Sequence, residues 1–160
     1  MPKMPTLRIA LLAHNVRSLW NVGSFFRTAD GLAVEKIYLT GYTGHPPRKE
    51  ISKTALGAEE TVAWEHAPDP AAIVKGLRAG GWTIVALELA DRSQDLSLFH
   101  AKGKICLIVG HELSGVPEAL LDLSDHVVRI PMRGKKESLN VAVAAGIALY
   151  HLRDGFPAEA

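Results

Sequence analysis

Polar residues follow two apolar stretches in the last third of the sequence. Gly-His-Glu at 110–112 ends one stretch, Ile-Pro-Met at 130–132 ends another, and Ser-Leu-Asn at 138–140 precedes a run of small residues. In α/β proteins, ligands bind where strand ends meet the start of a helix, because backbone groups are free there. The pattern therefore predicts a pocket for a small ligand at the carboxyl end of a sheet.

A second polar group lies nearer the N-terminus, where Asn21, Gly23 and Arg27 share a predicted helix. Gly23 and Arg27 are four residues apart and share a face, and the missing side chain at Gly23 leaves space for a ligand or another backbone. The flanking Phe25 and Phe26 predict partly apolar surroundings, in which the guanidinium needs a phosphate or carboxylate partner. Taken alone, Arg27 could also form a structural salt bridge and Asn21 could cap the helix.

Two cationic segments are expected at the same end of the sheet. The segment at 41–53 contains two prolines and three cations, and the segment at 133–136 contains three more cations. We interpret the first either as a solvated connection or as a flexible basic arm that meets phosphates. Together the two segments would form a local surface for an anionic partner.

Composition limits the possible functions. The chain has 160 residues, 48% of them hydrophobic, which suits one domain with its own core. Its net charge of +1 gives no general attraction to a polyanion, so a nucleic-acid surface must be local. The single Cys106 lies in an apolar stretch, which predicts a buried thiol and excludes an internal disulfide. With no signal-peptide pattern and no apolar run near the ~18 residues of a membrane span, we expect a cytoplasmic protein.

Short apolar strands alternate with helices along the chain. The strands are mostly continuous apolar runs, which indicates a mostly parallel sheet covered on both faces by helices. Strands are predicted at 7–13, 35–41, 83–88, 105–110 and 127–131, with a weaker one at 61–64. Helices are predicted at 22–31, 70–80, 117–123 and 139–153. The last helix is apolar on every side from 141 to 149, so we expect it to be buried all round, in the core or in a dimer interface.

Three segments in this order resemble the motifs of the SpoU or TrmH-like branch of the SPOUT RNA methyltransferases. They are Asn-x-Gly-x-x-x-Arg-Thr-Ala from 21, Gly-His-Glu-x-x-Gly-Val from 110, and Ile-Pro-Met from 130 followed by Ser-Leu-Asn-Val-Ala-Val-Ala-Ala from 138. The resemblance covers nearly the whole chain. It implies one catalytic domain over 1–160, without a separate RNA-binding domain, and a C-terminal deep trefoil knot. The strand pattern alone predicts an ordinary doubly wound sheet.

The resemblance also implies an activity and a set of site residues. Members transfer a methyl group from S-adenosylmethionine to a ribose 2′-hydroxyl in tRNA or rRNA, leave S-adenosylhomocysteine, and work as homodimers. No metal, membrane or DNA is implied. The catalytic positions correspond to Asn21, Arg27, Glu112, Ser138 and Asn140. The cofactor positions correspond to Leu87, Glu88, Gly110, Ile130, Met132, Ser138 and Leu139. The expected RNA contacts are Arg17, Arg27, Arg48, Lys49, Lys53, Arg133, Lys135 and Lys136.

Several alternatives stay open at this point. The chain could be a non-catalytic RNA-binding or ribosome-associated protein on the same fold, although Arg27, Glu112 and Asn140 are all intact. Methylation of a base nitrogen is disfavoured by the match to the ribose-modifying branch. Arg27 could act as general base, or as a cation that stabilises the developing oxyanion and clamps a phosphate. His111 has no assigned role, and Gly115 stands where the second histidine of a zinc-binding H-E-x-x-H motif would be.

Overall fold

The computed structural model describes residues 7–155, and its strands form one seven-stranded parallel sheet. The strand order is β3-β2-β1-β6-β4-β7-β5. The strands are β1 (Arg8–His14), β2 (Lys36–Thr40), β3 (Ala63–Ala67), β4 (Thr83–Leu87), β5 (Gln94–Asp95), β6 (Lys104–Val109) and β7 (His126–Arg129). The helices are α1 (Leu19–Gly31), α2 (Lys49–Ala55), α3 (Ala58–Thr61), α4 (Pro70–Ala79), α5 (Glu118–Leu123) and α6 (Val141–Asp154).

The parallel α/β sheet is confirmed, because its central strands are apolar on both faces. In β1, Ile9 and Leu11 belong to the core layer beneath α1 and α6, whereas Ala10 and Leu12 belong to the layer beneath α4 and α5. The thiol of Cys106 on β6 is fully buried, as predicted, and burial raises its pKa to about 12. A strand covered on both sides reads as a continuous apolar run, which is why these strands could be predicted.

Helix starts differ from the predictions because of their caps. Helix α1 begins at Leu19, three residues early, because the Ser18 hydroxyl accepts a hydrogen bond from the Asn21 N–H at 3.3 Å. The cap of α1 is therefore Ser18, and the cap role considered for Asn21 is wrong. Helix α6 begins at Val141 because Asn140 caps it, so Leu139 lies outside the helix.

The segment at 41–53 is only partly a loop. Its last five residues belong to α2, which the sequence analysis did not predict, and the flexible-arm interpretation is wrong for them. Ile51 and Ala55 lie four residues apart and are both buried, so this helix is held by packing on α1. The strand predicted at 61–64 exists, but it lies at 63–67 as the edge strand β3, and β5 was not predicted.

Gly23 allows α1 and α2 to pack closely. A Cβ atom at Gly23 would lie 1.8 Å from Thr54 Oγ1 and 2.4 Å from the carbonyl oxygen of Ile51. Thr54 Oγ1 also donates a hydrogen bond to the carbonyl oxygen of Trp20 at 2.9 Å. The space at Gly23 therefore receives a neighbouring helix, which was one of the two expected uses, and not a ligand.

Two further predictions concern the fold as a whole. None of the helices within residues 7–155 combines the length and the apolar composition that a membrane-spanning helix needs. The trefoil knot remains a prediction from the family resemblance.

We expect Gly23→Ala to lower the free energy of unfolding by about 1 to 3 kcal/mol, because the added methyl group overpacks the α1–α2 contact. Urea unfolding measures the change. The matched control is Gly76→Ala in α4, where an added Cβ meets nothing within 4 Å. The control should raise stability by about 0.5 to 1 kcal/mol through helix propensity. A Gly23→Ala protein as stable as wild type would contradict the proposed role of this glycine.

Candidate active site

The carboxylate of Glu112 joins the loop after β6 to the start of α1. Its Oε1 accepts the backbone N–H of Arg17 at 2.9 Å, and its Oε2 accepts the N–H of Ser18 at 2.8 Å and the side-chain amide of Asn21 at 3.0 Å. Burial alone would raise the pKa of Glu112, but these hydrogen bonds outweigh it and hold the pKa below its ordinary value. At neutral pH Glu112 is therefore a charged, fully bonded group suited to positioning.

Asn21 extends this connection to the start of α6. Its Oδ1 accepts a hydrogen bond from Asn140 Nδ2 at 3.3 Å. Asn140 Oδ1 accepts the backbone N–H groups of Ala142 at 2.9 Å and Val143 at 3.2 Å, which caps α6. Three predicted catalytic residues from distant parts of the sequence, Asn21, Glu112 and Asn140, thus form one hydrogen-bonded chain that we call the Glu112–Asn140 bridge.

A cavity of about 190 Å³ lies where β4, β6 and β7 end. All seven residues expected to bind the cofactor line it, namely Leu87, Glu88, Gly110, Ile130, Met132, Ser138 and Leu139. Leucine and isoleucine side chains supply apolar walls, and the strand ends supply free backbone groups, as expected for a small-molecule pocket. The structure thus gathers the complete set of expected cofactor residues into one space.

Glu88 contributes to this cavity in a way the sequence did not reveal. Its Oε2 accepts the backbone N–H of Val116 at 2.7 Å, and its Oε1 accepts the N–H of Leu89 at 3.0 Å. Gly115 has a φ of +72°, and a Cβ there would lie 1.9 Å from Glu88 Oε2. A Cβ at Gly110 would lie 2.3 Å from the carbonyl oxygen of Gly115. The Glu88 carboxylate therefore fixes the loop at 110–116 beside β4, and the missing side chains of Gly110 and Gly115 provide the space for this close packing.

Arg129 is a cavity residue that the sequence analysis missed. It lies at the end of β7, next to Ile130, and lines the same cavity. Its Nε lies 2.8 Å from Asp95 Oδ1, and its Nη1 donates to the carbonyl oxygen of Ser93. A charged residue that interrupts the apolar pattern immediately before the 130–132 motif was the available signal.

A wider depression of about 740 Å³ lies beside the cavity. The residues that line the depression but not the cavity include Arg17, Trp20, Asn21, Glu50 and Asn140. Three residues, His111, Glu112 and Leu113, line both the cavity and the depression. Those three residues therefore form a shared wall between a small-molecule cavity and an open surface. Ser138 lines only the cavity, where it is both an expected cofactor residue and an expected catalytic residue.

Arg27 does not fit the surroundings predicted for it. Its side chain is exposed, it lines neither the cavity nor the depression, and it has no hydrogen-bond or ion-pair partner among residues 7–155. The helical turn directs Phe25, Phe26 and Ala29 into the core and leaves Arg27 facing solvent. The prediction of partly apolar surroundings is therefore wrong, and so is the structural salt bridge, whereas the expected phosphate partner stays a prediction.

The other cations expected to bind RNA are all exposed. Arg17 lines the depression. Lys53 Nζ lies 5.7 Å from the ring centroid of Trp20, which also lines the depression. Arg48 Nε approaches Glu50 Oε2 at 4.0 Å. The remaining four are Lys49 at the start of α2 and Arg133, Lys135 and Lys136 between β7 and α6. Within the described residues, no three His, Cys, Asp or Glu side chains are placed to hold a metal ion.

Comparisons with known proteins agree with this arrangement. The 23S rRNA (guanosine(2553)-2′-O)-methyltransferase RlmP of Bacillus subtilis is 32% identical over 151 residues, which are 94% of this chain and 60% of that protein. A tRNA (guanosine(18)-2′-O)-methyltransferase of Aquifex aeolicus is 31% identical and is covered to 67% of its length. An AdoMet-bound rRNA methyltransferase from Sinorhizobium meliloti superposes with a TM-score of 0.87 and 29% identity, over 93% of this chain and 57% of that one.

The chain thus spans 60% and 57% of the length of two of these three proteins, which is less than two thirds. The model of the family described as SpoU rRNA Methylase matches residues 8–150, which is nearly the whole described chain. The resemblance stated from the three motifs is confirmed: this chain belongs to the SpoU rRNA Methylase family.

Proposed function

We propose that this chain transfers a methyl group from S-adenosylmethionine to a ribose 2′-hydroxyl of tRNA or rRNA. The observation that carries the proposal is the shared wall at 111–113, with the complete cofactor set on one side and the Glu112–Asn140 bridge facing the other. The names of the B. subtilis and A. aeolicus relatives supply the reaction and the two classes of RNA. All described strands join one sheet, so we further propose a single methyltransferase domain over 1–160.

The cavity residues suit S-adenosylmethionine. Leu87, Ile130 and Leu139 would enclose its apolar parts, and the strand ends after β4, β6 and β7 would offer backbone donors and acceptors to its polar parts. When bound, this cofactor supplies a methyl group activated by a positively charged sulfur. The protein's task is then to place the attacking hydroxyl in line with that methyl group and to manage the charge on the oxygen.

The Glu112–Asn140 bridge would perform the positioning. Because Glu112 is charged and accepts three N–H groups, it fixes the start of α1 beside the cavity, and Asn140 fixes the start of α6. Arg27 would stabilise the negative charge that develops on the attacking ribose oxygen. A guanidinium keeps its proton in proteins, which supports the role of stabilising the oxyanion and clamping a phosphate over the role of general base.

A homodimer would bring Arg27 to a cofactor cavity. Helix α6 was expected to be buried all round, but in a single chain it exposes Val143, Ile147 and Tyr150, which are four and three residues apart on one face. The exposure excludes the core alternative for this face and supports the dimer alternative. These side chains line a groove of about 550 Å³ with Ser24 and Thr28 of α1, the helix that carries Arg27. An apolar stripe of this kind indicates a protein interface. We therefore propose that Arg27 serves the cavity of the partner chain.

We also propose the cytoplasm as the compartment, since the only cysteine of the chain is a buried thiol with no disulfide partner in the sequence.

The reaction is tested by incubating the protein with methyl-labelled S-adenosylmethionine and, separately, total tRNA and rRNA from a strain that lacks the gene. We expect label in one pool, and nuclease digestion with mass spectrometry should identify a 2′-O-methylnucleoside. Cofactor binding is measured in parallel by calorimetry. Intact cofactor binding without transfer to either pool would contradict the proposal and favour a non-catalytic RNA-binding protein. Label on a base would contradict the ribose assignment.

The shared site is tested by mixing an Arg27→Ala chain with an Ile130→Glu chain, which places a carboxylate in the cavity. Each homodimer should be inactive, whereas each mixed dimer has one complete site and should show about half of the wild-type activity. The control adds Ile147→Glu to both chains, which should leave monomers without activity. No recovery in purified mixed dimers would show that Arg27 does not act across the interface.

A further inference from the structure

His111 occupies a position that the proposed reaction does not yet use. It is half-buried and forms part of the wall between the cavity and the depression, immediately before Glu112. A side chain in this wall can contact ligands on both sides. The hydrogen bonds of its ring determine whether it presents a donor or an acceptor to those ligands.

The imidazole has a defined orientation and tautomer. Its Nδ1 accepts the backbone N–H groups of Leu113 at 3.0 Å and Ser114 at 3.1 Å. A nitrogen that accepts two N–H groups carries no proton, so the proton of the neutral ring is on Nε2. The Nε2–H group has no acceptor among residues 7–155. His111 is therefore a hydrogen-bond donor without a protein partner.

The surroundings hold this donor in place. The His111 backbone exchanges two hydrogen bonds with Gly115, at 3.2 and 2.9 Å, which closes the loop beneath the ring. The ring of Tyr42 meets the imidazole edge to face, with 6.4 Å between centroids and 80° between planes. The Tyr42 N–H in turn donates to Asn15 Oδ1 at 3.0 Å. The ring thus sits between two ordered loops.

The neighbouring polar groups are already paired within the protein. Each side-chain oxygen and nitrogen of Glu112, Asn21 and Asn140 has a hydrogen-bond partner in the Glu112–Asn140 bridge or in the helix starts that it caps. The amides of Asn21 and Asn140 each use one of their two N–H groups in this way, whereas His111 Nε2–H makes no bond to the described part of the protein and is left wholly to a ligand. RNA offers ribose and phosphate oxygens, which are acceptors.

We propose that His111 donates its Nε2–H to a ribose or phosphate oxygen of the RNA nucleotide that occupies the depression, and so orients the reacting hydroxyl. This inference rests on the proposed function, because it takes RNA as the occupant. His111 would then be a substrate-positioning residue, and the orientation of its ring is set by the loop at 110–116, which also lines the cofactor cavity.

Two variants separate this role from a purely structural one. The substitution His111→Asn places an oxygen near the position of Nδ1, so the variant keeps an acceptor for the loop N–H groups and loses the Nε2 donor. The substitution His111→Gln places an amide near the position of Nε2, so the variant keeps a donor and loses the loop acceptor. We expect His111→Asn to match wild type in thermal unfolding and in S-adenosylhomocysteine affinity, but to lose about 10-fold to 100-fold in kcat/KM for RNA.

His111→Gln should show the opposite pattern of effects: it should bind S-adenosylhomocysteine more weakly than wild type but retain part of the RNA affinity at saturating cofactor. The affinity for the same RNA is also measured without turnover, by filter binding of both variants and wild type in the presence of S-adenosylhomocysteine. A His111→Asn protein with wild-type kcat/KM and wild-type RNA affinity would overturn the proposal. Wild-type protein that binds RNA without methylating it would contradict the proposed reaction alone, and the filter-binding comparison would still decide the role of His111.

Discussion

The organisation of the site depends on the carboxylate of Glu112. One charged group accepts three N–H donors at the start of α1, and through Asn21 it reaches the cap of α6. Asn21 is buried and Glu112 is half-buried, so an unpaired amide or carboxylate at either position would carry a desolvation cost. The bridge therefore sets how α1 and α6 approach the loop after β6, and with it the wall between cavity and depression.

The parallel sheet explains why these groups meet. Strands β4, β6 and β7 are adjacent and end at one edge, so the loops after them converge although they are far apart in sequence. Glu88 after β4 binds the loop after β6, and Arg129 at the end of β7 faces the same cavity.

The sequence predicted the elements whose signals are local. Buried parallel strands are continuous apolar runs, and the three motifs identified the residues that the structure gathers in the cavity and the bridge. Helix α2 could not be predicted, because it has seven residues, follows two prolines and has no side-chain cap. The surroundings of Arg27 and the exposed face of α6 depend on tertiary packing, which apolar composition alone does not specify. The bonds of Glu88 and His111 likewise depend on a loop geometry that appears only after folding.

A double-mutant cycle between Glu112→Gln and Asn140→Ser measures whether the Glu112–Asn140 bridge stabilises the fold as one unit. The Asn140→Ser substitution keeps a side-chain cap for α6 but removes the amide that donates to Asn21. The Glu112→Gln substitution removes the negative charge that accepts the N–H groups at the start of α1. Free energies of unfolding are measured in urea at one protein concentration for wild type, both single variants and the double variant. If the bridge acts as one unit, the coupling energy should be about 0.5 to 3 kcal/mol. Single effects that add within about 0.3 kcal/mol would show that Glu112 and Asn140 act independently and that no such bridge stabilises the fold.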